Sequence, residues 1–177
     1  MKTDDVRNKL YMSRNSIVAV REANKQDVSL ILGFIRKKAV FDGVPNWVEA
    51  TEEKLADELF GPKPSAYVLF AEIGNKVVGF AIYFLTFSSF LARPGIWLDD
   101  LYVDEDARSK GAGKALLAHL AKIAEVRGYG RIEWVTAANN AKGLAFYRRN
   151  GARVQETVRV LRLDRKAIAD FAKKGAA

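Results

Sequence analysis

The sequence predicts one α/β domain, a twisted mixed β-sheet with helices on both faces, and three observations carry that expectation. Two apolar runs, residues 67–73 and 77–87, meet at Gly74-Asn75, a dipeptide suited to a tight hairpin. A third run, residues 96–103, leads through a glycine-bearing turn into a strongly amphipathic helix pattern at 113–127. From there strand and helix patterns alternate towards the C-terminus, which calls for crossovers and hence for some parallel pairing.

The elements follow in order. Residues 1–16 alternate charges with isolated apolar side chains and lack the apolar run of a secretory signal; they are expected to be a flexible arm ahead of a single domain at 17–177. Residues 17–21 are a β-branched run and read as a strand. Asp27 stands where it can cap a helix whose Val28, Ile31, Leu32, Ile35 and Ala39 recur at helical spacing. Asp42, Gly43 and Pro45 mark residues 41–50 as a loop. Thr51 then caps a second helix, with Glu52 and Glu53 at its positive end and Leu55, Ala56, Leu59 and Phe60 as its buried stripe. In the helix at 113–127 the stripe is Leu116, Leu117, Leu120, Ile123 and Ala124. Residues 131–136 form another strand, Asn140 caps a helix at 141–149, and Gly151 stops it. Residues 154–163 are expected to return as a strand whose apolar parity slips between Val160 and Leu161, as at a bulge. Asp164 caps a last short helix ending near Ala172.

Composition narrows the chemistry. With no cysteine, the chain has no disulfide, thiolate metal site or cysteine nucleophile. A single histidine, His119, rules out a multi-histidine metal centre and reads as a surface or packing side chain, so no metal is expected. Lys and Arg number 29 against 21 Asp and Glu, a formal charge of +8 that would suit nucleic acid, an anionic membrane or a polyanionic cofactor. The basic residues are scattered, which argues against nucleic acid. No stretch approaches the roughly 20 apolar residues of a membrane span, and a cytoplasmic protein without a membrane partner is expected.

Three segments carry chemistry. Arg108-Ser109-Lys110-Gly111-Ala112-Gly113 lies between an apolar strand and a helix, where glycines expose backbone N–H groups and Arg108, Lys110 and Lys114 add positive charge. It lacks the third glycine of a dinucleotide fingerprint and the ending of a P-loop, so taken alone it leaves phosphate binding and an ordinary connection as alternatives. Asp99-Asp100 interrupts an otherwise apolar strand. Regular alternation would send the two carboxylates to opposite faces, and the buried one needs a cation, a hydrogen-bond network or a ligand amine. For Asp100 the plainer reading is a salt bridge. Tyr147 stands on the second turn of the helix capped by Asn140, where a phenol either packs in the core or meets a partner.

Together, Leu101-Tyr102-Val103 at a strand end, Arg108-x-x-Gly111-x-Gly113, Asn140, and Ala145-Phe146-Tyr147-Arg148-Arg149-Asn150-Gly151 resemble the GNAT N-acetyltransferase superfamily over about residues 17–172. Val78-Gly79-Phe80-Ala81-Ile82-Tyr83-Phe84, Leu98-Asp99-Asp100-Leu101-Tyr102-Val103 and Leu161-Arg162-Leu163-Asp164 bring the resemblance nearest to the diamine (spermidine/spermine) N-acetyltransferases. The resemblance implies the acyl-CoA N-acyltransferase fold, acetyl-CoA as co-substrate, a small-molecule amine as acceptor and a homodimer. It implies that the backbone of Arg108, Ser109, Lys110, Gly111, Ala112 and Gly113, with Lys114, holds the CoA pyrophosphate. Leu101, Tyr102 and Val103 would pair with the pantetheine amides, and Asn140, Lys142 and Arg149 would complete the cofactor contacts. Tyr147 matches the proton donor to the departing thiolate, Asp99 an acid, usually Glu, that binds or deprotonates the amine, and Glu156 another substrate-facing acid, with Asp100 beside the acceptor. The implied chemistry is direct attack of a neutral amine on the thioester, without an acyl-enzyme.

The loop after the first helix, Phe41-Asp42-Gly43-Val44-Pro45-Asn46-Trp47-Val48-Glu49, has fewer acids than that group carries, so a long polycation finds fewer anchors. A short diamine or an amino acid with a side-chain amine fits as well. Phe84, Phe87, Phe90 and Trp97 could line a pocket or form core. Other readings are an enzyme acetylating a protein amine or an antibiotic, a catalytically silent CoA sensor, and a basic nucleic-acid-binding module.

Overall fold

A computed structural model describes residues 11–13 and 16–175, with side chains from Val18 onward. The chain forms two compact units, residues 1–135 and 136–177. Most of the expected N-terminal arm lies outside the described residues. Its Tyr11–Ser13 forms strand β1, which pairs antiparallel with β2 (Ser16–Glu22).

In the first unit the sheet runs in sequence order: β1, β2, β3 (Tyr67–Ile73), β4 (Lys76–Ser88), β5 (Arg93–Val103) and β6 (Ile132–Glu133). Among the described residues, only the β5–β6 pair is parallel. Gly74 (φ 56°) and Asn75 (φ 64°) are both left-handed, as the tight turn joining twisted antiparallel strands requires. The mixed sheet with helices on both faces is therefore as the sequence predicts.

Alternate strand residues feed two cores. Leu69, Ala71, Ala81, Ile96 and Leu98 pack under α3 (Ala112–Val126), which presents Ala112, Leu116, Leu120 and Ala124 at every fourth position. The alanines let the helix lie close to the sheet. On the other face Val68, Phe70, Phe80 and Ile82 meet Ile31 and Phe34 of α1 (Val28–Phe41) and Leu59 of α2 (Glu52–Phe60). Phe34 stacks on Phe80 with centroids 5.3 Å apart, and each such fully buried side chain contributes about 1.5–3 kcal/mol.

The entry to α1 differs from the expectation. Asp27 makes no cap bond to α1. Instead it closes a capping box with Asn24 around a short 3-10 turn and accepts two bonds from Arg21, at 2.7 and 2.9 Å. Arg21 also donates to Glu72 at 2.7 Å, and its guanidinium stands 5.0 Å from the Phe70 ring centroid. That pairing, foremost the Arg21 hydrogen bonds, holds the Asp27 carboxyl below its ordinary value of 3.8. A carboxyl depressed in the folded state stabilises above its unfolded pKa and loses that contribution as pH falls through the folded one. Arg21→Met is thus expected to cost about 1–2 kcal/mol at pH 7 after solvent screening, measured by urea unfolding, with the deficit shrinking in acid.

The second unit holds α4 (Ala141–Arg149) and α5 (Arg165–Lys174). Asn140 caps α4, Gly151 (φ 91°) follows it, and Asp164 caps α5 by accepting from the Ala167 N–H at 2.8 Å. The strand expected at 154–163 is absent. The Val158 N–H bonds the Gln155 carbonyl, and the Arg159 guanidinium occupies the carbonyls of Glu156 and Val158 at 2.8 and 3.2 Å. Those groups would otherwise join a ladder. Val158, Val160, Leu161 and Leu163 are all exposed, so no sheet face selects one parity. The strand expected at 131–136 shrinks to Ile132–Glu133, because its parallel ladder stops at the Trp97–Glu133 pair, just before β5 bends.

Candidate active site

That bend is a β-bulge. Ile82 of β4 opposes Asp100 and Tyr83 opposes Leu98, which leaves Asp99 without an opposite residue. The extra residue resets the alternation, so Ile96 and Leu98 before it and Leu101 and Val103 after it all face the α3 core. Asp99 stands exposed at the bulge. Asp100 turns towards α1, as Tyr102 does. The spacing of Ile96, Leu98, Leu101 and Val103 was the sequence signal for this bulge, and reading the strand as regular missed it.

Asp100 is half-buried and has the counter-ion that such a carboxylate needs. Lys38 Nζ lies 3.4 Å from Asp100 Oδ1 and also pairs with Asp42, four residues on at the C-cap of α1. Burial pushes the Asp100 carboxyl up, Lys38 opposes the shift, and the charge of Asp99 adds to it. Lys38 and Asp42 were not among the predicted site residues, although their i,i+4 spacing at a helix end was visible.

Beyond Trp97, no strand among the described residues of this unit pairs with the outer edge of β5. Its backbone amides there are available to an extended partner. Past β5 the chain turns through Arg108, with Ser109 (φ 64°) and Gly111 (φ 93°) both left-handed, into α3. No side chain caps α3, so its first N–H groups are left to the turn and to solvent, and Ala112 at 1% exposure sits under them without obstructing. Lys110 and Lys114 are exposed beside the turn. Arg108 is committed elsewhere: its Nε donates to the Val103 carbonyl at 3.1 Å, and its guanidinium covers the rings of Phe41 and Tyr102 at 5.0 and 5.7 Å.

In the second unit Asn140 Oδ1 accepts from the Gly143 N–H at 2.9 Å, and its Nδ2 donates to Thr136 Oγ1 at 3.2 Å. A Cβ on Gly143 would come within 2.5 Å of the Asn140 amide, so this close cap needs glycine. Tyr147 is half-buried on α4, its ring 5.2 Å from that of Phe146, and burial raises its phenol above the ordinary value of 10.0. Lys142, Arg149 and Glu156 are exposed. The aromatic residues considered for a pocket separate: Phe84 stacks on Trp97, while Phe87 and Phe90 stand exposed. A cavity of about 240 Å³ does open elsewhere, lined by Glu22, Phe60, Tyr83, Arg127 and Tyr129 among others, and no predicted site residue borders it.

Residues 19–152, through the sheet, the turn and Tyr147, match the acetyltransferase (GNAT) family. The chain belongs to the GNAT acetyltransferase family. It is 30% identical to an L-ornithine N5-acetyltransferase of Arabidopsis thaliana, over 84% of this chain and 85% of that one. A thialysine N-epsilon-acetyltransferase of Sus scrofa is 31% identical, over 77% and 84%. Among solved structures, an integron cassette protein from the mobile metagenome of V. cholerae superposes with a TM-score of 0.73 at 27% identity, covering 88% of this chain and 98% of that one. The protein is therefore an acetyltransferase, and acetyl-CoA is the donor its family uses. The uncapped α3 N-terminus behind a left-handed glycine fits a diphosphate, and the unpaired edge of β5 fits an extended chain of amides. No helix among the described residues is long and apolar enough to cross a membrane.

Proposed function

We propose that this GNAT enzyme acetylates a primary amine of a small molecule, an amino acid with a side-chain amine or a short diamine, at a site centred on Asp99. The bulge carries the reading: it sets an exposed carboxylate on the strand whose outer edge is open, and that strand leads into the glycine turn. The activities for which the ornithine and thialysine relatives are named support an amine of this size.

Acetyl-CoA supplies an acetyl group activated as a thioester. The N–H groups of residues 109–113 and the ammonium groups of Lys110 and Lys114 would hold its diphosphate, while the Arg108 N–H closes the preceding turn on the Glu105 carbonyl at 3.3 Å. Leu101 and Val103 offer edge N–H groups to the pantetheine arm, with Tyr102 between them and the Val103 carbonyl taken by Arg108 Nε, and Lys142 and Arg149 add charge at α4. Asn140, both of whose side-chain ends are engaged, acts by fixing the start of α4 and so the place of Tyr147 within it. An acceptor arriving as a cation is held by Asp99, which takes a proton from it directly or through water. Asp100 and Glu156 add negative charge for the acceptor. Tyr147 holds a proton on its phenol oxygen for the leaving sulfur. No metal takes part, and the resemblance further points to a cytoplasmic homodimer without nucleic-acid or membrane partners.

The reading is tested by an acetyl-CoA-dependent screen of ornithine, lysine, short diamines, spermidine and lysine-bearing peptides, followed by released thiol. Turnover confined to peptides would sink it. For Asp99→Asn, kcat/KM for the amine should fall about 10²-fold with acetyl-CoA affinity unchanged, and the deficit should narrow as pH approaches the amine pKa near 10. An equal loss in both would mark Asp99 as a structural carboxylate.

A further inference from the structure

We infer that Lys38 makes this acceptor site selective for amino acids bearing a side-chain amine over the corresponding diamines. The inference rests on the acceptor reading above. Three carboxylates act on one another here: Asp99 and Asp100 on β5, and Asp42 just past α1, whose charges both bear on Asp100. Left alone they would suit a dication. Lys38 changes that, because its ammonium bridges Asp100 at 3.4 Å and Asp42 from a side chain only 19% exposed.

The other cations nearby are occupied. Lys37, the preceding residue of α1, pairs with Asp104 at 2.8 Å, and the Arg108 guanidinium lies over Phe41 and Tyr102 while its Nε bonds the Val103 carbonyl. Lys38 is thus the cation that faces both acids. A diamine placing one ammonium at Asp99 must contest Asp42 or Asp100 with Lys38 for its second. An amino acid brings both signs in its head group: the carboxylate replaces Asp42 on Lys38, and the released Asp42, the more exposed of the bridged acids at 41%, receives the α-ammonium. Charge then balances in the complex without leaving a buried ion unpaired, which is the condition under which a polar site discriminates.

Matched substrates test this, because lysine and cadaverine, or ornithine and putrescine, differ only by the carboxylate. Wild-type enzyme is expected to favour the amino acid of each pair in kcat/KM by at least about tenfold, and Lys38→Met should reduce that ratio about tenfold, chiefly through KM. Lys38→Arg, which keeps the charge, should retain most of the preference, whereas Lys37→Met should leave it unchanged. A wild-type preference for the diamines overturns the inference, as does an unchanged ratio in Lys38→Met that still binds acetyl-CoA. Should Lys38→Met fail to fold, the wild-type ratio and Lys38→Arg decide. Turnover of none of the four amines overturns the acceptor reading and this inference together.

Discussion

Replacing Tyr147 by phenylalanine is expected to lower kcat about 10²-fold while the acetyl-CoA Kd, measured by calorimetry, moves less than about twofold. A thiolate leaving from a tetrahedral centre needs a proton, and the donor must still carry that proton at working pH. Burial raises the Tyr147 phenol above its ordinary value of 10.0, so the donor carries its proton at neutral and mildly alkaline pH. The sign fixes the pH profile. Activity should rise with pH as the amine becomes neutral and should fall only above the ordinary phenol range, and the phenylalanine variant should lose that falling limb. Phenylalanine keeps the ring that packs against Phe146, so α4 should survive the change. Unchanged kcat would remove Tyr147 from the mechanism.

Gly111→Val is expected to weaken acetyl-CoA binding at least about tenfold and to lower Tm by several degrees. Gly111 has φ 93°, where an added Cβ meets only Val18 Cγ2 at 3.9 Å, so the penalty comes from backbone conformation and not from crowding. A β-branched residue held there costs about 1–3 kcal/mol, and relaxing it rotates the first N–H groups of α3 away from the diphosphate. Gly128, with φ 66° at the opposite end of α3, provides the comparison. Gly128→Val should lower Tm comparably and leave the Kd alone. Equal acetyl-CoA affinity in both variants would show that the turn is not the grip.

Much of the fold was legible because its signals are local. Gly74-Asn75 announces a hairpin since both residues tolerate the left-handed region, and the buried positions of α3 recur every fourth residue whatever lies beneath them. The glycine turn, the Asn140 cap and Gly151 are local in the same sense. Slips of apolar parity were not decisive by themselves. One lies between Leu98 and Leu101 and is a bulge, because β4 pairs on both sides of Asp99 and holds the strand in register across it. The other lies between Val160 and Leu161, where no strand pairs and the Arg159 side chain takes the carbonyls, so the segment forms no strand at all.

The site divides along the same line. The sequence by itself determined the order of elements, the family, and the residue types at the turn and on α4, since each depends on neighbours a few positions away. Only the tertiary structure decided that Asp99 is the exposed, unopposed acid and that Asp100 is the half-buried one paired with Lys38. Bulge register and ion pairing are set by groups brought together from distant parts of the chain, and their energies depend on burial that no window of sequence contains.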